Sequence, residues 1–171
     1  MRRMTTCCMV LLLLLVGCAS VAPLEPAPAT TFVIVRHAEK ADDGTRDPPL
    51  SAVGQSRAQA LAQRLAHSGL VAVYATPFRR TQQTAQAVAT LAGLPVTTYA
   101  ADVAPSDFAT TLRARHLRGT VLVVGHSNTV PEIVASLCSC RIAALDESAY
   151  DGIYTIRIAP DGKASLDVGR Q

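Results

Sequence analysis

The chain has 171 residues, 49% of them hydrophobic and 17% charged, which suits a single domain with a full apolar core. Aromatic residues make up only 4%, with no Trp, so alanine and leucine carry the packing and a stacking platform for single-stranded nucleic acid is excluded. The formal charge of +3 is too close to balance to make an electrostatic case for nucleic acid as a partner.

Arg2 and Arg3 precede the apolar run Met9 to Val16, the pattern of a secretory signal, and the run is too short for a membrane span. It ends in Leu15-Val16-Gly17-Cys18, which resembles the bacterial lipobox. That resemblance implies acylation of Cys18 and cleavage just before it, the alternative being a plain signal peptide cut near Ala19 or Ala22. Residues 1–17 are therefore expected to be a lipoprotein signal peptide outside the fold, and their loss lowers the formal charge from +3 to +1 by removing two arginines. Residues 18–30 hold Pro23, Pro26 and Pro28 among small and polar residues, a composition that stays extended and reads as a tether. Ala19, where an Asp would retain a lipoprotein at the inner membrane, resembles the outer-membrane pattern. The expected location is the cell envelope, lipid-anchored and facing the periplasm. Cys7 and Cys8 leave with the signal. Cys138 and Cys140 are either a tight disulfide or two buried thiols at a helix end, and no other Cys or His has the spacing to make them a metal site.

The folded domain is expected over residues 31–171. Thr31 to Val35 is β-branched, apolar and free of turn residues, a strand of a parallel sheet that places Arg36 and His37 at its carboxyl end. After the polar loop Ala41 to Leu50, Ser51 is a candidate N-cap for a helix with Ala58, Leu61, Ala62 and Leu65 on its apolar face and Gly69 at its end. Leu70 to Tyr74 reads as a second buried strand. Pro77 suits the first turn of a helix burying Thr81, Ala85, Val88 and Ala92 and closed by Gly93 and Pro95. Val96 to Tyr99 is a short third strand, followed by Asp102 and a helix capped by Ser106 with Phe108 and Leu112 on one side. Thr120 to Val124 is the fourth strand. Thr129-Val-Pro-Glu132 reads as a capping box, opening a helix that buries Val130, Ile133, Val134 and Leu137. Ile153 to Ile158 and Lys163 to Val168 flank Pro160-Asp-Gly162 and close the chain with a hairpin. The alternation of strand and helix predicts an α/β fold, a three-layer α/β/α arrangement around a mostly parallel central sheet. His67 and His116 lie near helix ends on polar faces and are assigned no function.

Four successive strands thus lead into polar residues of compatible chemistry, Arg36 and His37 after the first, Arg80 after the second, Asp102 after the third and His126 after the fourth. Parallel strands bring their carboxyl ends to one edge, where ligands collect in open α/β sheets. Two arginines and two histidines converging there imply a bound dianion, with the guanidinium groups as fork-shaped donors.

Three segments then carry a family resemblance. Val-Arg-His-Ala-Glu-Lys40, Ala-Thr-Pro-Phe-Arg-Arg-Thr-Gln-Gln-Thr-Ala85 and Val-Val-Gly-His-Ser-Asn-Thr129, in this order, resemble the arginine–histidine, second-arginine and second-histidine motifs of the histidine phosphatase superfamily. The resemblance implies the phosphoglycerate-mutase-like fold. The family register aligns Arg80, not Arg79, with its arginine; Thr76 stands for the usual Ser and Thr81 for the usual Ala, departures expected to leave the chemistry untouched. The resemblance implies phosphoryl transfer through a phosphohistidine on His37, with water as the second acceptor. Arg36, Arg80 and His126 would act with it, and these three with Ser127 and Asn128 would bind the phosphoryl group. An imidazole nucleophile has to be neutral, and flanking arginines disfavour imidazolium while stabilising the transferring oxygens. No cofactor and no metal are implied, because Arg36, Arg80 and His126 do the neutralising that magnesium does elsewhere. The general acid is expected at Asp102, with Glu132 as its rival, Glu39 as a further candidate and, as in some branches of the family, a site without an acid as the remaining alternative. Glu39 is expected in an ion pair with Lys40 or an arginine. The expected partner is a phosphorylated small molecule or a phosphoprotein, and the short loops Ala41 to Leu50 and Ala100 to Pro105 predict an open site. The alternatives are a mutase of the same fold, for which the chain is short, and an envelope lipoprotein that binds a phosphoryl ligand without catalysis or has a structural role.

Overall fold

The computed structural model describes residues 29–171, so the expected signal peptide, Cys18 and all of the tether except its last two residues lie outside the described residues. The first strand, β1, runs Thr30–Arg36 and begins one residue inside the expected tether. It is followed by α1 (Ala52–Leu65), β2 (Leu70–Ala75), α2 (Arg79–Ala92), β3 (Val96–Thr98), α3 (Pro105–Arg115), β4 (Gly119–Gly125), α4 (Val130–Cys138), β5 (Gly152–Ile158) and β6 (Ala164–Arg170). The strands form one six-stranded sheet in the order β3-β2-β4-β1-β5-β6. β1 to β4 are mutually parallel, and the closing hairpin β5–β6 is antiparallel.

The path explains the three layers. From β1 the chain crosses to β2 and on to β3 in one direction across the sheet, then reverses to β4. Right-handed crossovers put the helices of the two directions on opposite faces. Accordingly α1 and α2 cover one face and α3 and α4 the other. β1 feeds both cores by alternation: Phe32 and Ile34 pack with Phe108, Leu112, Ile133 and Leu137, whereas Val33 and Val35 pack with Leu61, Leu65, Ala85 and Val88. β4 lies between β1 and β2, with Gly125 opposite Arg36 and Val124 opposite Ala75, so the carboxyl ends of all three strands share one edge.

Several local expectations fail for identifiable reasons. Ser51 does cap α1, its hydroxyl accepting from the Gly54 N–H at 3.1 Å. Pro77, however, lies ahead of α2, whose cap is Phe78 and whose last buried residue is Ala89; Ala92 is exposed. Ser106 sits inside α3, which Pro105 opens. The capping box does not form, because the Thr129 hydroxyl turns back to accept from the His126 N–H at 3.1 Å. Cys138 and Cys140 form a disulfide just where α4 ends, with Ser139 between them in the left-handed region. His116 is half-buried, its Nε2 lying 2.9 Å from the Tyr74 hydroxyl, and is not on a free polar face.

Candidate active site

At the common edge the end of β1 delivers Arg36 and His37 side by side, both only 4% exposed. The His37 N–H continues the ladder to the Gly125 carbonyl, which fixes the backbone here against β4. Its Nδ1 lies 2.8 Å from the Ala38 carbonyl, an atom that can only accept, so Nδ1 carries the proton. The lone pair is therefore on Nε2, where it accepts from Arg80 Nε–H at 3.2 Å. Burial pushes the imidazolium pKa down to about 4; the Ala38 bond opposes this, and the charges of Arg80, His126 and Arg36 reinforce it. His37 is a neutral ring with its lone pair beside a guanidinium.

Arg36 is held by the loop between α4 and β5. Its Nη1 donates to the carbonyls of Asp146, Glu147 and Ala149 at 3.1, 2.7 and 3.2 Å, and its guanidinium lies over the Tyr150 ring at 4.2 Å. Nη2 pairs with the Glu147 carboxylate at 2.9 Å. The buried Nε–H has no partner among the described residues. Arg80, in the first turn of α2, lies over the Phe78 ring at 4.7 Å and reaches Asp47 at 3.5 Å. Asp47 also accepts from the Arg79 backbone N–H at 2.9 Å, which ties the loop after β1 to the start of α2.

His126 leaves β4 with its ring 5.4 Å from that of His37, edge to face, and 5.2 Å from Phe78. Its Nε2 lies 2.9 Å from the Thr76 hydroxyl, which is itself 2.8 Å from the Thr81 hydroxyl. Burial, then the charges of Arg80 and Arg36, lowers the His126 pKa to about 4 as well. Ser127 donates its hydroxyl to Glu147, whose carboxyl is held below the usual range by that bond and by the Arg36 charge.

These side chains enclose a cavity of about 360 Å³ lined by Arg36, His37, Lys40, Phe78, Arg80, Ala101, His126, Ser127, Asn128, Thr129 and Glu147. Of the expected site residues, the structure brings together Arg36, His37, Arg80, His126, Ser127 and Asn128. Asp102 is the exception: it is exposed, and its neighbour Ala101 faces the cavity in its place. Glu132 is exposed on α4, and Glu39 is paired to Arg57 through three contacts of 2.6–3.0 Å. The carboxylate that does line the cavity, Glu147, comes from a loop without a sequence signature. Thr76 and Thr81 also correct the expectation, since both departures from the family pattern bond into the site. No group of three His, Cys, Asp or Glu with metal-ligating placement occurs among the described residues.

The profile of the histidine phosphatase superfamily (branch 1) matches residues 32–101. A curated relative, probable phosphoglycerate mutase GpmB of Yersinia enterocolitica, is 38% identical over 71 residues, which cover 38% of this chain and 33% of that protein. The chain thus matches about a third of the curated relative's length. Among solved structures, the protein histidine phosphatase SixA complexed with tungstate superposes with a TM-score of 0.65 at 20% identity, covering 82% of this chain and 96% of that one. The mycobacterial glucosyl-3-phosphoglycerate phosphatase superposes at 0.65 and 16%, covering 83% and 99%. The fold is that of phosphoglycerate-mutase-like histidine phosphatases, and the segment 32–101 is similar to the histidine phosphatase superfamily (branch 1).

Proposed function

We propose that this protein is a phosphatase that hydrolyses phosphomonoesters, or a phosphorylated protein or envelope component, through a phosphohistidine on His37. The observation that carries the proposal is the His37 ring itself, which is neutral down to about pH 4 with its Nε2 lone pair beside Arg80. In the first step Nε2 attacks phosphorus, the P–O bond to the leaving group breaks, and the leaving oxygen takes a proton. In the second, water attacks phosphorus, the P–N bond breaks and His37 regains its lone pair, while the water proton returns to the group that gave the first. Arg36 Nη2, the Arg80 guanidinium, His126 and Ser127 are the donors for the phosphoryl oxygens. We assign the proton to Glu147, the carboxylate that lines the cavity. The resulting activity needs no divalent cation and is insensitive to chelators. Enzyme quenched during turnover of an aryl phosphate is expected to carry an acid-labile, base-stable phosphate that is absent in His37→Ala; full activity of that variant ends the proposal.

The lipobox at Cys18 and the proline-rich segment behind it support an envelope enzyme tethered through a lipid on Cys18. Palmitate is expected to label the full chain but not Cys18→Ser. A wild-type protein that stays unlabelled in the soluble fraction refutes the anchor.

A further inference from the structure

Two buried hydroxyls stand behind His126, and their hydrogen bonds can be assigned in one direction only. Thr76 is 1% exposed and Thr81 is fully buried. Thr81 Oγ1 lies 2.9 Å from the Thr76 carbonyl and 2.8 Å from the Phe78 carbonyl, two atoms that only accept, so its proton is committed there. With that proton spent, Thr81 Oγ1 can only accept from the Thr76 hydroxyl. The Thr76 oxygen in turn can only accept from His126 Nε2, which must therefore be protonated. The remaining ring nitrogen, Nδ1, is bare; it has no hydrogen-bond partner and is not among the buried unsatisfied atoms, so it is open to the cavity that His126 lines.

We propose that Thr76 and Thr81 are positioning residues, a hydroxyl relay that locks His126 in the Nε2–H tautomer and so presents a bare Nδ1 to the phosphoryl group. His37 is locked in the opposite tautomer by the Ala38 carbonyl. The consequence is proton coupling. A neutral ring with bare Nδ1 repels a phosphoryl oxygen, so His126 takes up a proton as the dianion binds. The imidazolium then donates through Nδ1 while Nε2–H stays anchored on Thr76. The opposite tautomer would donate from Nδ1 while neutral, without taking up a proton. Thr81, where the family has Ala, is what orients the relay, because without its oxygen the Thr76 proton is free to turn towards His126.

This inference rests on the phosphatase reading, but its test does not, because the tautomer can be read without turnover. In a long-range ¹⁵N–¹H spectrum of ligand-free protein at pH 7, His126 is expected to show a protonated Nε2 and a bare Nδ1. Thr76→Val is expected to give a mixture or reversal, Thr81→Ala a mixture, and Thr76→Ser the wild-type pattern. His37 stays Nδ1–H in all of them, which reports that the fold and the neighbouring ring are intact. In turnover, Thr76→Val lowers kcat/KM about tenfold, the scale of one lost buried hydrogen bond, and displaces the acid limb of the pH profile. A wild-type His126 with protonated Nδ1 overturns the relay, and so does a Thr76→Val protein whose His126 tautomer and pH profile are unchanged.

Discussion

Glu147 occupies the donors that a phosphoryl group needs. Its carboxylate accepts from Ser127 and from Arg36 Nη2, and these bonds, with the charges of Arg36 and Lys40, hold its pKa down. A bound dianion takes both donors and adds negative charge beside the carboxylate, so the two hydrogen bonds are lost and the Arg36 and Lys40 charges are offset, which raises the Glu147 pKa. Glu147 is thus charged without substrate and poised to hold a proton with it, as a general acid must be. Asp102, exposed beyond Ala101, is not among the residues that line the cavity. An acid matters most for a poor leaving group, and its assistance is worth roughly 10²–10⁴-fold. Glu147→Gln is therefore expected to slow alkyl phosphate hydrolysis on that scale and to leave nitrophenyl phosphate nearly untouched, with Asp102→Asn close to wild type on both. Parallel kinetics of the two variants on the two substrates check this, and the reverse pattern returns the role to Asp102. The sequence shows Arg36, His37, Arg80 and His126 because each directly follows, or lies within the first turn after, a strand with a strong apolar signal. It hides Glu147, twenty positions beyond Ser127 in an irregular loop, since nothing local says which loop residue will fold back over a strand end. Thr81 lies between these cases: its departure from the family pattern is visible, and its depth is not.

At the scale of elements, the readings that hold are those in which burial and local chemistry agree. β1 and β4 are covered on both faces, so their near-continuous apolar runs admit no other assignment. Ser51 caps α1, its extended backbone placing the hydroxyl on the Gly54 N–H. The approach of α1 to the active-site loop also depends on a local feature: a Cβ on Gly54 would collide with the Glu39 carbonyl, the same carbonyl that accepts from the Ser51 N–H at 2.9 Å. The failures occur where one hydroxyl has two possible partners. Thr129 could close a capping box with its own helix or accept from His126 N–H, and the second choice buttresses the turn that carries the histidine. Pro77 is compatible with a helix start by its φ angle alone, yet α2 begins only at Arg79, after an extended Phe78, while Thr76 ahead of it is held between His126 and Thr81. In both places the site geometry overrides the helix signal, which sequence spacing alone does not encode.

Across the whole molecule, the two buried histidines make stability depend on pH in a definite window. In the unfolded chain both rings titrate near 6.5; in the folded protein burial and the arginines lower each to about 4. Between those values the unfolded state binds more protons than the native one, so stability falls as pH drops through this range and levels off for these groups below it. Glu39, paired with Arg57, acts in a different window. Its lowered pKa contributes stability that is fully present above its ordinary value and is lost only as the pH falls below that value through the folded-state pKa. For His37, almost wholly buried, the shift corresponds to about 3 kcal/mol at 1.36 kcal/mol per unit; half-exposed His126 contributes less. Melting temperature is accordingly expected to decline from pH 7 to pH 4.5 in the wild type and to decline less steeply in His37→Asn, which removes the titrating ring but keeps a neutral polar side chain. A tightly bound oxyanion such as tungstate should flatten the wild-type decline, because it favours the protonated rings in the native state. If wild type and His37→Asn melt with the same slope across this range, folding does not lower the His37 pKa and the buried neutral ring assigned to the nucleophile is overturned.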